Sequence, residues 1–234
     1  MSQAPTAGPS LHPPLSWPYM GLLGALLLLL LGLLQAGVVG VAYDRLGLSP
    51  GLGWGFLLLS IAGSGINIPV AAIEPRTALR PPQVVRRLGV AYAVPRAWRA
   101  GQTVIAVNLG GAVAPLLLCL YLTVHDNLGP SVLLALAAVV LYVHLVARPV
   151  TGVGIAVPGL LPPLIAAGAA LLLGGPHVPA VAYVAGVLGC LVGADLMNLG
   201  RVADLGAPVA SIGGAGTFDG IFLTGVMAVL IAGL

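Results

Sequence analysis

The sequence predicts an all-α polytopic transmembrane helix bundle of about seven spans, several of them broken by glycine or proline. Composition and patterning together predict it. Of 234 residues, 59% are hydrophobic and only 6% are charged, and the mean hydropathy is +1.09. Apolar runs near 20 residues recur along the chain, and about 20 residues at 1.5 Å rise cross a hydrocarbon core of about 30 Å. The 34 glycines and 20 prolines fall inside those runs as well as between them. The net charge of +3 comes from nine arginines against six acids. Because the arginines lie in short loops, they read as determinants of topology and not as a nucleic-acid surface.

Residues 1–16, rich in Pro, Gly and Ser, cannot bury enough apolar surface to fold and are expected to form a disordered tail. Residues 17–234 then form a single transmembrane domain. No basic stretch precedes the first apolar run, which argues against a cleaved signal peptide. The first span covers residues 20–43 and closes on Asp44 and Arg45. The second, residues 52–73, is interrupted by Gly63, Gly65 and Pro69, a break that leaves backbone groups near Asn67 in need of partners. Residues 74–100 hold six of the nine arginines among Val, Leu, Tyr and Trp. They read either as a piece lying on the membrane surface or as a solvated cytoplasmic loop. A third span, 101–124, carries Gln102 and Asn108, and a fourth covers 131–147. The fifth, 150–174, contains Pro158, Pro162 and Pro163, which exclude a straight helix. The sixth, 179–200, carries Asp195 and Asn198, and the seventh includes Asp219. With a cytoplasmic N-terminus, eight of the nine arginines fall inside and only Arg45 outside, the bias expected of a multi-pass protein in a bacterial cytoplasmic membrane.

A carboxylate inside a bilayer costs roughly 2.5 to 3.5 kcal/mol by insertion scales, so an intramembrane acid marks a candidate functional site. Asp219 follows Gly213, Gly214 and Gly216 and opens the apolar run 221–234, where no other charge occurs. Asp195 is the second such acid. A shift of 151 residues lays Asp44 on Asp195 and SIAGSG, from Ser60, on SIGGAG, from Ser211. In a seven-span protein that match would be an inverted-topology repeat, an architecture found in transporters. Cys119 and Cys190 fall inside apolar runs without metal-ligand spacing and read as small core residues.

GSGINIP, from Gly63, together with GGAGTFDGIFLTG, from Gly213, resembles the prokaryotic membrane family described as domain of unknown function 1614. The resemblance extends over most of the spanning region and implies a membrane fold without an activity. GADLMN, around Asp195, and GAGTFDGIF, around Asp219, also resemble the GxGD intramembrane aspartyl proteases, the presenilin, signal peptide peptidase and prepilin peptidase group. That resemblance implies two catalytic aspartates at one end of consecutive antiparallel helices. PGLLPP, from Pro158, is faintly similar to the Pro-Ala-Leu element of those proteases. The chain departs from the pattern in placing Thr217 and Phe218 between Gly216 and Asp219, which turns the acid by about 200 degrees on a helix.

Three functions are compatible with these residues. In an intramembrane aspartyl protease-like hydrolase, Asp195 and Asp219 share a proton and act on a membrane-embedded peptide. In a small-solute or ion-coupled transporter, Asp219 and Asn67, with Gly65, Gly214, Gly216, Thr217, Asn198 and Pro158, line a site at the helix breaks and Asp195 is the coupling acid. In a non-catalytic assembly protein, both acids are neutral and hydrogen-bonded to Asn198, Thr217 or each other, and the small residues serve helix contact. No metal, nucleotide or haem motif is present, so no cofactor is expected, and the expected partners are membrane lipid and a peptide, solute or ion.

Overall fold

The computed structural model describes residues 17–76, 85–87, 90–92, 102–150, 154–214 and 218–234. The tail expected at residues 1–16 and much of the basic segment 74–100 lie outside these. The chain divides into two compact units, Met1–Val38 and Val39–Leu234, with the boundary inside helix α1, Trp17–Arg45. In the first unit Leu26, Leu29 and Leu30 of α1 are exposed.

The second unit is mostly helical, but short strands interrupt the helices where continuous spans were expected. Helix α2, Pro50–Gly63, starts on a proline, whose missing N–H costs nothing in a first turn, and stops at a Ser64–Gly65 turn. The next residues form strand β1, Asn67–Ile73, so the segment 52–73 is half helix and half strand. After a two-stranded hairpin, β2 (Val85–Arg87) and β3 (Val90–Tyr92), comes β4, Thr103–Asn108. A π-helical turn, Leu109–Val113, then leads into α3, Ala114–His125. Helix α4, Ser131–Val146, follows a tight turn, and a small hairpin of β5 (Arg148–Val150) and β6 (Gly154–Ala156) precedes α5, Leu161–Leu173. Pro162 and Pro163 fall in the first turn of α5, where they start the helix and do not kink it. Helix α6, Val178–Cys190, continues through a π-helical segment, Leu191–Asp195, into a 3₁₀ segment, Leu196–Asp204. Strand β7, Val209–Ile212, and helix α7, Phe218–Ala232, complete the order.

The all-α expectation is therefore corrected at NIPVAAI, TVIAVN and VASI. These β-branched runs pair as a three-stranded sheet in the order β1-β4-β7. β1 runs antiparallel to β4, with a register shift after Pro69, which has no N–H for the ladder, and β7 runs parallel to β4. The central strand β4 buries Thr103, Val104, Ala106 and Asn108. Thr103 donates to the Ala207 carbonyl at 2.9 Å and so fixes one end of the β4–β7 pair.

Helix α6 is the axle of the unit. It is buried from Ala180 to Val187, and α3, α4, α5 and α7 all pack on it. A helix buried all round must be apolar all round, as this one is. Among the described residues one helical run, 175–204, is long and apolar enough to cross a membrane, and 78% of its most apolar window is buried. Helices α2 to α5 and α7 are shorter, at 12 to 16 residues. The two stretches matched by the 151-residue shift also fold differently: Ser60–Gly63 ends a helix, whereas Ser211 and Ile212 end a strand.

Candidate functional site

Three chain breaks, each caused by small residues, meet beside the C-terminal continuation of α6 at Asp195. The end of α2 lies against the π-helical turn 109–113 so closely that a side chain on Gly63 would stand 2.8 Å from Gly110 N. A side chain on Gly110 would collide with Ser60 O and Ser64 N. The turn after β7 closes the junction from the other side. Gly213 has φ +71, and its missing side chain would stand 2.7 Å from Ala112 N. Backbone segments this close leave polar groups without water, so each must find a partner within the protein.

Side-chain amides provide most of those partners. Asn108, 2% exposed at the end of β4, accepts from Gly111 N at 2.7 Å and donates to Ser64 O at 2.7 Å and to Asn67 Oδ1 at 3.1 Å. Asn67 opens β1 and faces Asn108 in the register of the sheet. Its Oδ1 also accepts from Ser211 Oγ on β7 at 2.5 Å. One face of the sheet thus holds a continuous polar row that links all three strands to the end of α2.

Asp195 ends the π-helical segment and begins the 3₁₀ run. It is 6% exposed, and its Oδ2 accepts the Gly213 N–H at 2.7 Å. A buried carboxylate requires such donors, and a main-chain N–H is one that no side-chain motion can withdraw. The change from wide to tight helix at Asp195 also strands carbonyls, and Asn198 answers them by donating to Gly193 O at 3.1 Å and Ala194 O at 2.9 Å. Asn198 Oδ1 accepts from Arg201 at 3.2 Å. Asn198 therefore braces its own helix.

Of the residues singled out in the sequence, the structure brings together Asn67, Gly214 and Asp195, through Ser211 and Gly213. Gly214 is buried in the turn, its N–H donating to Ser211 O at 3.0 Å. Gly65 is exposed in the α2–β1 turn with open space around its α-carbon, and Pro158 is exposed ahead of α5; neither joins the polar row. Asp219 is the second residue of α7, and its side chain lies outside the described residues, as do Gly216 and Thr217. The readings in which Asp219 touches Asp195 or Thr217 fall there too.

Sequence reasoning noted Asn108 only as a polar member of the third span and Ser211 only in the shifted match, and assigned neither to the site. The signal for Asn108 was its position, last in a β-branched run and just before Gly110 and Gly111, where a strand stops and an amide is needed as a cap. Cys119 and Cys190 are buried and free, as expected of core residues, and Cys190 Sγ lies 3.6 Å from Thr224 Oγ1 between α6 and α7. Among the described residues no group of three or more His, Cys, Asp or Glu could hold a metal ion. No curated protein and no solved structure matches the chain. Residues 61–231, which hold the whole polar row together with Asp195 and Asp219, match the family described as protein of unknown function DUF1614, and the chain belongs to that family.

Proposed function

We propose that this chain is a multi-pass integral membrane protein in which Asp195 and Asp219 form the acid pair of a hydrolase for membrane-embedded peptides. The observation that carries the proposal is the hydrogen bond from Gly213 N to the buried Asp195 carboxylate, which ties the end of α6 to the segment opening α7. The register of α6 against α7 supports the pairing. Thr224 lies between Gly186 and Cys190, and Gly225 lies against Val187 and Tyr183, so the two helices run antiparallel. Asp219 precedes Thr224 by five residues, about 7.5 Å of helix, and Asp195 follows Cys190 by five. The two backbones thus reach the same level to within about one helical turn.

Two carboxyl groups in contact cannot both ionise and so share one proton. One takes a proton from water as its oxygen bonds to the scissile carbonyl carbon, and the other protonates the carbonyl oxygen. The C–N bond then breaks as a proton passes to the amine. Strand β7 adds support, because among the described strands it is an edge with one side unpaired, two residues before Gly214. An open edge can receive an unwound peptide.

Membrane residence draws support from the outward faces of the short helices. Leu120, Leu133, Leu141, Leu145 and Leu172 are between 60% and 86% exposed, while Ala135, Val139, Ala166 and Ala170 face inward. Water favours the reverse arrangement, and lipid favours this one, with small residues at helix contacts. A second reading, a solute or ion transporter, is favoured by the gathering of Asn67, Asn108 and Ser211 where helices and strands break.

The test compares wild type, Asp195→Asn and Asp219→Asn, reconstituted in liposomes, on labelled single-span peptides. The proposal expects each substitution to lower cleavage by about a hundredfold or more. Undiminished cleavage in both variants rejects it, and wild-type solute uptake without cleavage favours the transporter.

A further inference from the structure

We infer that the Asn67 side-chain NH2 is a binding donor for a backbone carbonyl of the substrate, a role that rests on the peptide-hydrolase reading and extends it. An asparagine amide has two orientations, and its hydrogen-bond partners decide between them. Gly111 N–H can only donate, so the Asn108 atom 2.7 Å from it is Oδ1. Asn108 Nδ2 is thereby directed at two acceptors, Ser64 O at 2.7 Å and the Asn67 side chain at 3.1 Å. The Asn67 atom that receives this N–H is therefore its oxygen. Ser211 Oγ donates to the same oxygen, which then has both lone pairs engaged. On the other branch of the carboxamide, Nδ2 carries two hydrogens with no partner among the described residues. Asn67 is half-buried, and the two bonds to its oxygen fix the direction of these donors.

The ligand class follows from the surroundings. A peptide unwound inside a membrane exposes carbonyls that have lost their helical partners, and each is costly in an apolar medium. A neutral, pre-oriented NH2 matches such a carbonyl without bringing in another charge. Its distance from Asp195 sets which carbonyl it meets. The route from Asp195 passes through Gly213 N, back two residues to Ser211, and across to Asn67. Two residues span at most about 7 Å, and the turn closed by the Gly214 N–H on Ser211 O shortens that span, so Asn67 lies within about 10 Å of the Asp195 carboxylate. That is no more than about three residues of extended peptide, so the anchored carbonyl is at most about three residues from the bond that is cut.

The experiment reads binding, so it does not depend on turnover. Full-length Asp195→Asn protein in nanodiscs is titrated against a fluorescently labelled single-span peptide, with and without Asn67→Asp. That substitution keeps an oxygen for Asn108 and Ser211 and removes both donors. The expected result is a Kd raised about tenfold or more, with the thermal midpoint held within a few degrees. An equal Kd overturns the inference, and so does failure of the Asp195→Asn protein to bind the peptide. If Asn67→Asp does not fold, Ser211→Ala replaces it, since it frees the amide to turn while leaving the Asn108 contact. It is expected to raise Kd about threefold, and an unchanged Kd overturns the inference. Wild-type protein that binds the peptide and never cleaves it removes the hydrolase reading alone, and the ratio of Kd values still decides the role of Asn67.

Discussion

Replacing Gly213 by alanine separates a turn that merely connects β7 to α7 from one that holds the site together. At φ +71 a non-glycine residue costs about 1 to 2 kcal/mol in backbone strain. The added methyl would also stand 2.7 Å from both Cβ and N of Ala112, and the backbone atom cannot rotate away. Overpacking of this kind costs about 1 to 3 kcal/mol, which gives a combined loss of about 2 to 5 kcal/mol. Relief of the clash requires the turn to back off, which lengthens the Gly213 N to Asp195 Oδ2 bond from 2.7 Å. A hydrogen bond to a charged group contributes about 1.5 to 3 kcal/mol, so under the proposed hydrolase reading peptide cleavage should fall about tenfold to a hundredfold beyond any loss of folded protein. Unfolding in mixed micelles, followed by tryptophan fluorescence, measures the first effect. Gly65→Ala is the control, because open space surrounds that residue and its change should stay within about 0.5 kcal/mol. Gly213→Asn separates the two causes: asparagine tolerates positive φ but still carries the clashing Cβ, and should rescue only the strain. A Gly213→Ala protein as stable as Gly65→Ala would refute the close contact with Ala112 and the argument built on it.

Asn108→Ala removes hydrogen bonds to Gly111, Ser64 and Asn67 from a buried position and should cost about 2 to 4 kcal/mol, read by the same unfolding assay. Gly189→Ala should destabilise by about 1 to 3 kcal/mol, because its methyl would collide with Val139 Cγ1 on α4. Val139→Ala in the same protein should return part of that loss, and additive effects in the double-mutant cycle would disprove the contact. Leu141→Arg, on the outward face of α4 where Leu141 is 62% exposed, should impair membrane insertion by about 2.5 to 3.5 kcal/mol. Unchanged fractionation with membranes would count against a lipid-facing α4.

The sequence announced its apolar, glycine-broken character and its acids more clearly than its strands. Asp195 stands out because a carboxylate in an apolar run has few structural excuses, and it is indeed buried with a backbone donor. The break near Asn67 was legible from Gly63, Gly65 and Pro69, and a turn and a strand do follow α2 there. The strands themselves were not legible. TVIAVN and NIPVAAI continue apolar runs of helical length, and a short apolar stretch has no periodicity that distinguishes a buried strand from a buried helix. Nor could local pattern show that residues near 67, 108 and 211 meet. Their partnership is a matter of strand register, which is decided by packing across the chain.

The parallel pairing of β4 with β7 also sets an order of assembly. β1 and β4 are neighbours in synthesis and can pair early, but β7 can join only after α3, α4, α5 and α6 have been made and laid down between them. Closing so long a loop carries an entropic penalty that local pairing does not. The Ser211 hydroxyl and the Gly213 N–H arrive with that last strand, and Asp219 after it. Asp195 thus leaves synthesis eighteen residues ahead of Gly213, whose N–H holds it, and the site is completed only when nearly the whole chain has been made.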